Sequence, residues 1–203
     1  MKIKSFFYIA FSILISFNSL AQNKERKFKI HTLAFYNLEN LFDTINDVNK
    51  NDEASPIMEI KFNRGNIYKQ KVSNMARVIS EIGYDVTNRP PTIIGICEVE
   101  NRKVVEDLIA NEKLSKYNYG IVHYDSPDRR GIDVGLLYNK DIFKVINSNS
   151  HELYITYNNT SERSYTRDQL VVSGKLDGEL IHLIVNHWPS RGADETKRMA
   201  AAE

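Results

Sequence analysis

Cysteine is almost absent: the chain has one, Cys97, in 203 residues. An intramolecular disulfide is therefore excluded, and stability has to come from a packed core even where the compartment permits disulfides. Cys97 sits in the apolar run TIIGICEV with no basic neighbour in sequence to lower its pKa, so it reads as a buried, inert thiol rather than a nucleophile. No His/Cys spacing suggests zinc. An excess of charge of one sign is lacking too, with 27 Lys and Arg against 26 Asp and Glu. That balance gives no whole-molecule attraction to nucleic acid or acidic membranes, so any polyanion binding must come from a local patch. Repeats and low-complexity segments are absent.

Long apolar runs are lacking except at the start. Lys2 and Lys4 precede an apolar run from Phe6 to Phe17, and Ser19-Leu20-Ala21 has the small-x-small form of a cleavage site, so residues 1–21 read as an export signal. The run is shorter than the roughly 20 residues a spanning helix needs, and no second run follows. No cysteine stands near Ala21 to carry a lipid. The expectation is a soluble exported protein (periplasmic or secreted), its mature part starting at Gln22. Removing the signal with its two lysines leaves 182 residues, the length of one domain (22–203), with 25 basic against 26 acidic residues.

Within that domain, strand-like and helix-like stretches alternate. FKIHTLAFYN (28–37) reads as a strand, and residues 43–65 as a polar, aperiodic surface loop or insertion. Tyr68, Val72, Met75, Ile79 and Ile82 recur at spacings of three and four, the stripe of a helix ending near Gly83. PTIIGICEV (91–99) is short enough for a buried strand, and 101–112 forms a second helix with Val104, Val105, Leu108 and Ile109 inward. Strands follow at 118–125, 132–139, 142–148, 169–176 and 179–188; Asp177-Gly178 between the last two predicts a type I′ hairpin. This order implies an α/β fold, a mixed sheet with helices outside it.

Polar residues gather where strands stop: Asn37, Glu98 and His187 each follow an apolar run. Side chains at such ends are held rigidly yet reach solvent. Singly, each also has an ordinary structural explanation: a turn, an ion pair, a satisfied carbonyl. The three alone do not make a motif.

Four ordered stretches do. AFYNLENLFD, IIGICEVEN, RRGIDVGLLYN and VNHWPSRG resemble the successive signatures of the endonuclease/exonuclease/phosphatase superfamily, over Phe35 to about Arg198. YNLENLFD in particular resembles exported bacterial members. The resemblance implies a four-layer α/β sandwich with two facing sheets, and a divalent cation, Mg²⁺ with Mn²⁺ as the alternative, that activates a phosphate ester for attack by water. Carried over by position, Glu98 is the metal-binding carboxylate and Asn37 the asparagine supporting the metal site. Mg²⁺ suits this, since it takes oxygen ligands and often only one or two carboxylates. His187 corresponds to the histidine that contacts the scissile phosphate. Its parity agrees: Ile181, Leu183, Val185 and His187 share one face, and His182 the other. Arg130 would meet a phosphate, Asp133 a hydrogen-bond network orienting it, and Arg167 the phosphate again. His31, His123 and His151 fall outside the motifs.

The resemblance also implies a later Asp-x-Asn motif and an Asp-His pair, neither of which occurs after His187 in this sequence. The expectation is therefore the N-terminal part of an exported Mg²⁺-dependent phosphodiesterase, endonuclease-like, with DNA or RNA as the substrate. The alternatives are a non-catalytic phosphate- or nucleic-acid-binding remnant or inactive fragment and, within the enzymes, a phosphatase or sphingomyelinase. The cluster Lys24, Arg26, Lys27 and Lys29 reads as a solvated leader, so composition does not identify the substrate.

Overall fold

The computed structural model describes residues 28–157, 160–190, 192 and 195–202. The chain divides into two units, residues 1–30 and 31–203, and the account below concerns the second. The signal-like segment and its cleavage site lie outside the described residues. Among the described residues no helix is long and apolar enough to cross a membrane.

The elements run β1 (Leu33–Leu41), α1 (Pro56–Glu59), α2 (Arg64–Glu81), α3 (Tyr84–Thr87), β2 (Ile93–Val99), α4 (Arg102–Ala110), β3 (Tyr119–His123), β4 (Asp133–Asn139), β5 (Phe143–His151), β6 (Ile155–Thr156), β7 (Arg163–Ser164), β8 (Gln169–Leu176), β9 (Glu179–Val185) and α5 (Glu195–Ala202). Helix α2 forms where the stripe predicts, with Val72, Ala76 and Ile79 inward. It stops because Ile82 turns extended and Gly83 takes φ 64, where a Cβ would also meet the Thr32 side chain at 2.7 Å. Helix α4 starts at Asn101, whose side-chain oxygen accepts from the Val104 N–H at 3.1 Å.

Two sheets result. The first has the order β1-β2-β4-β3, with β1 and β2 parallel across the α2 crossover and the other pairs antiparallel. The second, β5-β8-β9, is wholly antiparallel, and its Asp177-Gly178 turn has φ 50 and 95, both positive as a type I′ turn requires. Strand β2 is apolar apart from Glu98 because both its faces are buried. Ile94 and Ile96 pack with Leu38, Val72, Ile79, Val105 and Leu108 under the helices. Ile93 and Cys97 pack with Leu136, Phe143, Leu170, Val172 and Val185 between the sheets. Phe143 is fully buried there, its ring edge-on to Tyr138 at 5.8 Å, and its burial contributes about 2–3 kcal/mol.

The described layers are thus helices, mixed sheet, antiparallel sheet. The fourth layer expected from the resemblance is not among them: Ile146, Leu180 and Ile184 on the outer face of the second sheet are exposed. Several boundaries differ from the sequence expectation. β1 starts at Leu33 and runs past Asn37 to Leu41, β9 stops at Val185 short of His187, and residues 43–65 contain a 3-10 turn at Asp52–Ala54 and the short helix α1. The pair β6-β7 has no counterpart in that expectation; each strand is two residues long, too short for a period to register.

Candidate active site

The centre of the site is a break in the pairing of β2. Asn37 pairs with Cys97 and the next β1 partner is Leu41 with Val99; on the other side Cys97 pairs with Val134 and Val99 with Asp133. Glu98 is skipped in both ladders and has φ 59, while Glu39 and Asn40 opposite have φ 51 and 59. Strict alternation would send Glu98 to the helix side with Ile94 and Ile96. The bulge turns it instead into a cleft, which is how bulges re-aim side chains. Left-handed backbone at a non-glycine residue costs about 1–2 kcal/mol, least at Asn, so the surroundings must hold it.

They do so with directed hydrogen bonds. Asn37 Nδ2 donates to Glu98 Oε1 at 3.0 Å, and the Asn40 N–H donates to Glu98 Oε2 at 3.0 Å. Asn37 Oδ1 is turned the other way, accepting from the Glu39 N–H at 2.7 Å. Lys71 on α2 closes the turn, its ammonium donating to Glu39 O at 2.5 Å and Asn40 O at 2.9 Å. Burial pulls the Lys71 pKa below its ordinary value, against the opposing pull of Glu39 and Glu98.

His187 approaches from the second sheet, two residues beyond β9, with Nε2 3.2 Å from Glu98 Oε1. Burial lowers its pKa, Arg167 adds to the effect, and the Glu98 carboxylate opposes it. Nε2 is the ring nitrogen that faces the Glu98 carboxylate, so it is the one placed to donate when it carries a proton. Its main chain is clamped by Arg167, which is only 7% exposed. Nε and Nη2 donate to His187 O at 2.9 and 2.6 Å, Nη2 also to Trp188 O at 2.8 Å, and Nη1 meets Asp128 Oδ2 at 3.3 Å. Asp128 in turn accepts from the Arg130 N–H at 2.9 Å and lies 3.4 Å from Arg130 Nε.

These groups share one cavity of about 470 Å³, lined among others by Asn40, Glu98, Asp128, Arg130, Arg167 and His187. The sequence 98–100 offers two carboxylates, but only Glu98 faces this cavity. Glu100 accepts from the Asp43 N–H at 2.6 Å, and burial pushes its pKa up to about 7.

A model of the Endonuclease/Exonuclease/phosphatase family matches residues 32–203. The chain belongs to this family. Solved structures similar to it include a Bacteroides thetaiotaomicron mannosyl-6-phosphatase (14% identity, 85% of this chain and 56% of that one, TM-score 0.49). Another is the endonuclease/exonuclease/phosphatase from Bacteroides vulgatus (18%, 83% and 55%, TM-score 0.47). A third is D. rerio TDP2 in complex with a single-strand DNA product (17%, 59% and 40%, TM-score 0.40). This chain spans about half, or less, of the length of those structures, and the likeness is one of fold. No curated protein matches it in sequence.

Within this family member the six residues singled out from the sequence fall into two groups. Glu98, Asn37, His187, Arg130 and Arg167 are linked around the cavity, directly or through Asp128. Asp133 is not among them. It is 2% exposed and does not touch Arg130; its Oδ1 accepts from Ser126 N at 2.8 Å and Ser126 Oγ at 2.6 Å, and its Oδ2 lies 3.2 Å from His123 Nε2. Asp133 therefore anchors the base of the 126–132 turn, and Asp128 is the carboxylate that orients Arg130. Asn37 is placed to support the site by holding Glu98. One further expectation shifts in detail: the Arg167 donors are committed to the chain around His187. The residues that sequence reasoning missed are Asp128, Asn40 and Lys71. Asp128 stands beside the RRGIDVGLLYN motif, whereas Lys71 lies on the polar side of an amphipathic helix and carries no local signal. His123, Asp125 and Asp133 are the one group of three among the described residues close enough to share a cation. Asp133 Oδ1 is already occupied and Asp125 is 81% exposed.

Proposed function

We propose that the protein is an exported phosphodiesterase dependent on Mg²⁺, with Mn²⁺ as a substitute, that hydrolyses DNA or RNA in an endonuclease-like reaction. The observation that carries this reading is the convergence of Glu98, His187 and Arg130 on one cavity, with the Glu98 carboxylate fixed by Asn37 and the Asn40 N–H. The donor set fits a hard cation. Both Glu98 oxygens face fixed N–H groups yet the carboxylate borders open space, and Mg²⁺ is commonly held by one carboxylate with waters and substrate phosphate. When bound, the ion would act as a Lewis acid on the phosphoryl group and lower the pKa of a bound water.

This chain's own residues have separate parts. Arg130, steered by Asp128 and half in solvent, binds a non-bridging phosphate oxygen through its planar fork. His187 donates from Nε2 to oxygen that gains charge as the phosphate is attacked. Arg167 keeps His187 in place through its carbonyl, and Asn37 keeps Glu98 from swinging away. The test is turnover of DNA and of a phosphodiester dye with Mg²⁺ or Mn²⁺. Wild-type protein that carries the later Asp-x-Asn and Asp-His motifs is expected to hydrolyse them and to stop in chelator, and Glu98→Ala in that protein is expected to abolish the reaction. Near-normal turnover in Glu98→Ala would sink the role given to Glu98. DNA binding by wild-type protein without hydrolysis would make the site a non-catalytic phosphate-binding remnant.

A further inference from the structure

The polar segment 43–65, which carries no chemistry in the sequence, builds a second cavity beside the first. It is docked, not loose: Lys50 donates to Ser126 O at 2.9 Å, the Asn51 N–H donates to Arg129 O at 2.8 Å, and Ile57 packs with Phe42 and Ile132. Between this segment and the Arg129-Arg130 turn lies a cavity of about 220 Å³. Asn40, Arg130 and Ile132 line both cavities, so the two are neighbours that share a wall. The walls of the smaller one are apolar at Phe42, Ala54, Pro56 and Ile132 and polar at Asn51 and Ser55. Ser55 is 6% exposed, and its hydroxyl oxygen has no hydrogen-bond partner among the described residues.

We infer that this cavity is a base subsite, taking the planar heteroaromatic ring of a nucleotide whose phosphate lies in the larger cavity against Arg130. The inference rests on the phosphodiesterase reading of that larger cavity. Three features select the ligand. The volume is below the roughly 300–1,000 Å³ of sites for larger organic ligands, so it fits one ring system. Apolar walls on Phe42, Pro56 and Ile132 suit the two faces of a ring, whereas a sugar would present hydroxyls to groups that cannot pair with them. An acyl chain would leave the buried Ser55 hydroxyl unsatisfied, while a base edge supplies the donor or acceptor it lacks, as the Asn51 carboxamide does for a second edge position.

The test is equilibrium binding by calorimetry in chelator, where no turnover occurs, comparing adenosine 5′-monophosphate and uridine 5′-monophosphate with ribose 5-phosphate. A base is expected to tighten binding by about tenfold or more. Ser55→Val, which narrows the cavity and removes the hydroxyl, is expected to bring that ratio close to one; Ser55→Ala, the milder change, is expected to lower it part-way. A ratio near one in the wild type would overturn the inference, as would an unchanged ratio in a folded Ser55→Val or Ser55→Ala protein. The outcome separates from that of the hydrolysis assay. Base-dependent binding without metal-dependent turnover leaves the subsite and removes the enzyme reading; turnover with no base dependence does the reverse.

Discussion

Replacing Lys71 by methionine keeps the length and most of the packing of the side chain but removes the ammonium that spans Glu39 O and Asn40 O. Hydrogen bonds from a charged donor are worth about 1.5–3 kcal/mol, and because Lys71 is only half-buried water replaces part of the loss, which leaves about 1–2 kcal/mol of stability. The larger effect is local. Glu39 and Asn40 sit at positive φ, and with the clamp gone the turn relaxes toward ordinary backbone and the Asn40 N–H leaves Glu98 Oε2. Groups that hold a ligand in this way typically change metal affinity by about 10–100-fold, so Mn²⁺ binding to the Lys71→Met protein is expected to weaken by about tenfold. Electrostatics alone predicts the opposite sign, since deleting a cation near Glu98 would strengthen the binding of another cation. Mn²⁺ titration followed by electron paramagnetic resonance, with urea unfolding alongside, therefore separates the two. Tighter or unchanged Mn²⁺ binding would refute the positioning argument, and Lys71→Arg, which keeps the charge and donors, is expected to recover part of the affinity.

Arg167→Met is expected to cost about 1–3 kcal/mol in urea unfolding, because it leaves Asp128 with Arg130 alone and strips the His187 and Trp188 carbonyls of their donors. A loss below about 1 kcal/mol would show that the clamp is not structural. Gly174→Ala is expected to destabilise by about 1–3 kcal/mol, since its Cβ would lie 2.3 Å from Phe143 Cζ and 2.7 Å from the Lys144 carbonyl oxygen. Gly65→Ala on α2, which meets nothing within 4 Å, is expected instead to stabilise by about 0.5–1 kcal/mol, measured by the same unfolding curves. Cys97 is fully buried and burial pushes its thiol up to about 12, so at pH 8 a thiol reagent is expected to react at the rate of unfolding. Fast labelling of folded protein would contradict the inter-sheet placement of this residue.

The stripe Tyr68, Val72, Met75, Ile79 was enough to place α2, and the apolar run around Cys97 to place β2, because each pattern matches one period and one length. The Asp177-Gly178 hairpin was legible for the same reason: its two residues accept the positive φ that the turn demands. Among the site residues, Glu98 and His187 were found from ordered motifs; the parity count that set His187 apart from His182 runs past the end of β9 at Val185. What the period could not give was the direction of Glu98. Alternation counted from Ile94 and Ile96 sends it under the helices, and only the double break in register turns it out. Asp133 misled for a related reason: it opens β4 beside Arg130 in sequence, yet the pleat buries it toward His123 and hands the steering of Arg130 to Asp128.

By itself the sequence determined the longer elements, the family motifs and the residue types able to handle a phosphate ester, since local periods and short motifs are properties of neighbouring residues. Only the tertiary structure decided which of them act together. Lys71 meets Glu39 and Asn40, Arg167 meets His187, and Ser55 borders Arg130 across separations of 20 to 75 residues along the chain. Such contacts depend on a crossover, a bulge and the docking of one sheet on another, and each of these is fixed by the burial of the whole core rather than by any stretch of the chain.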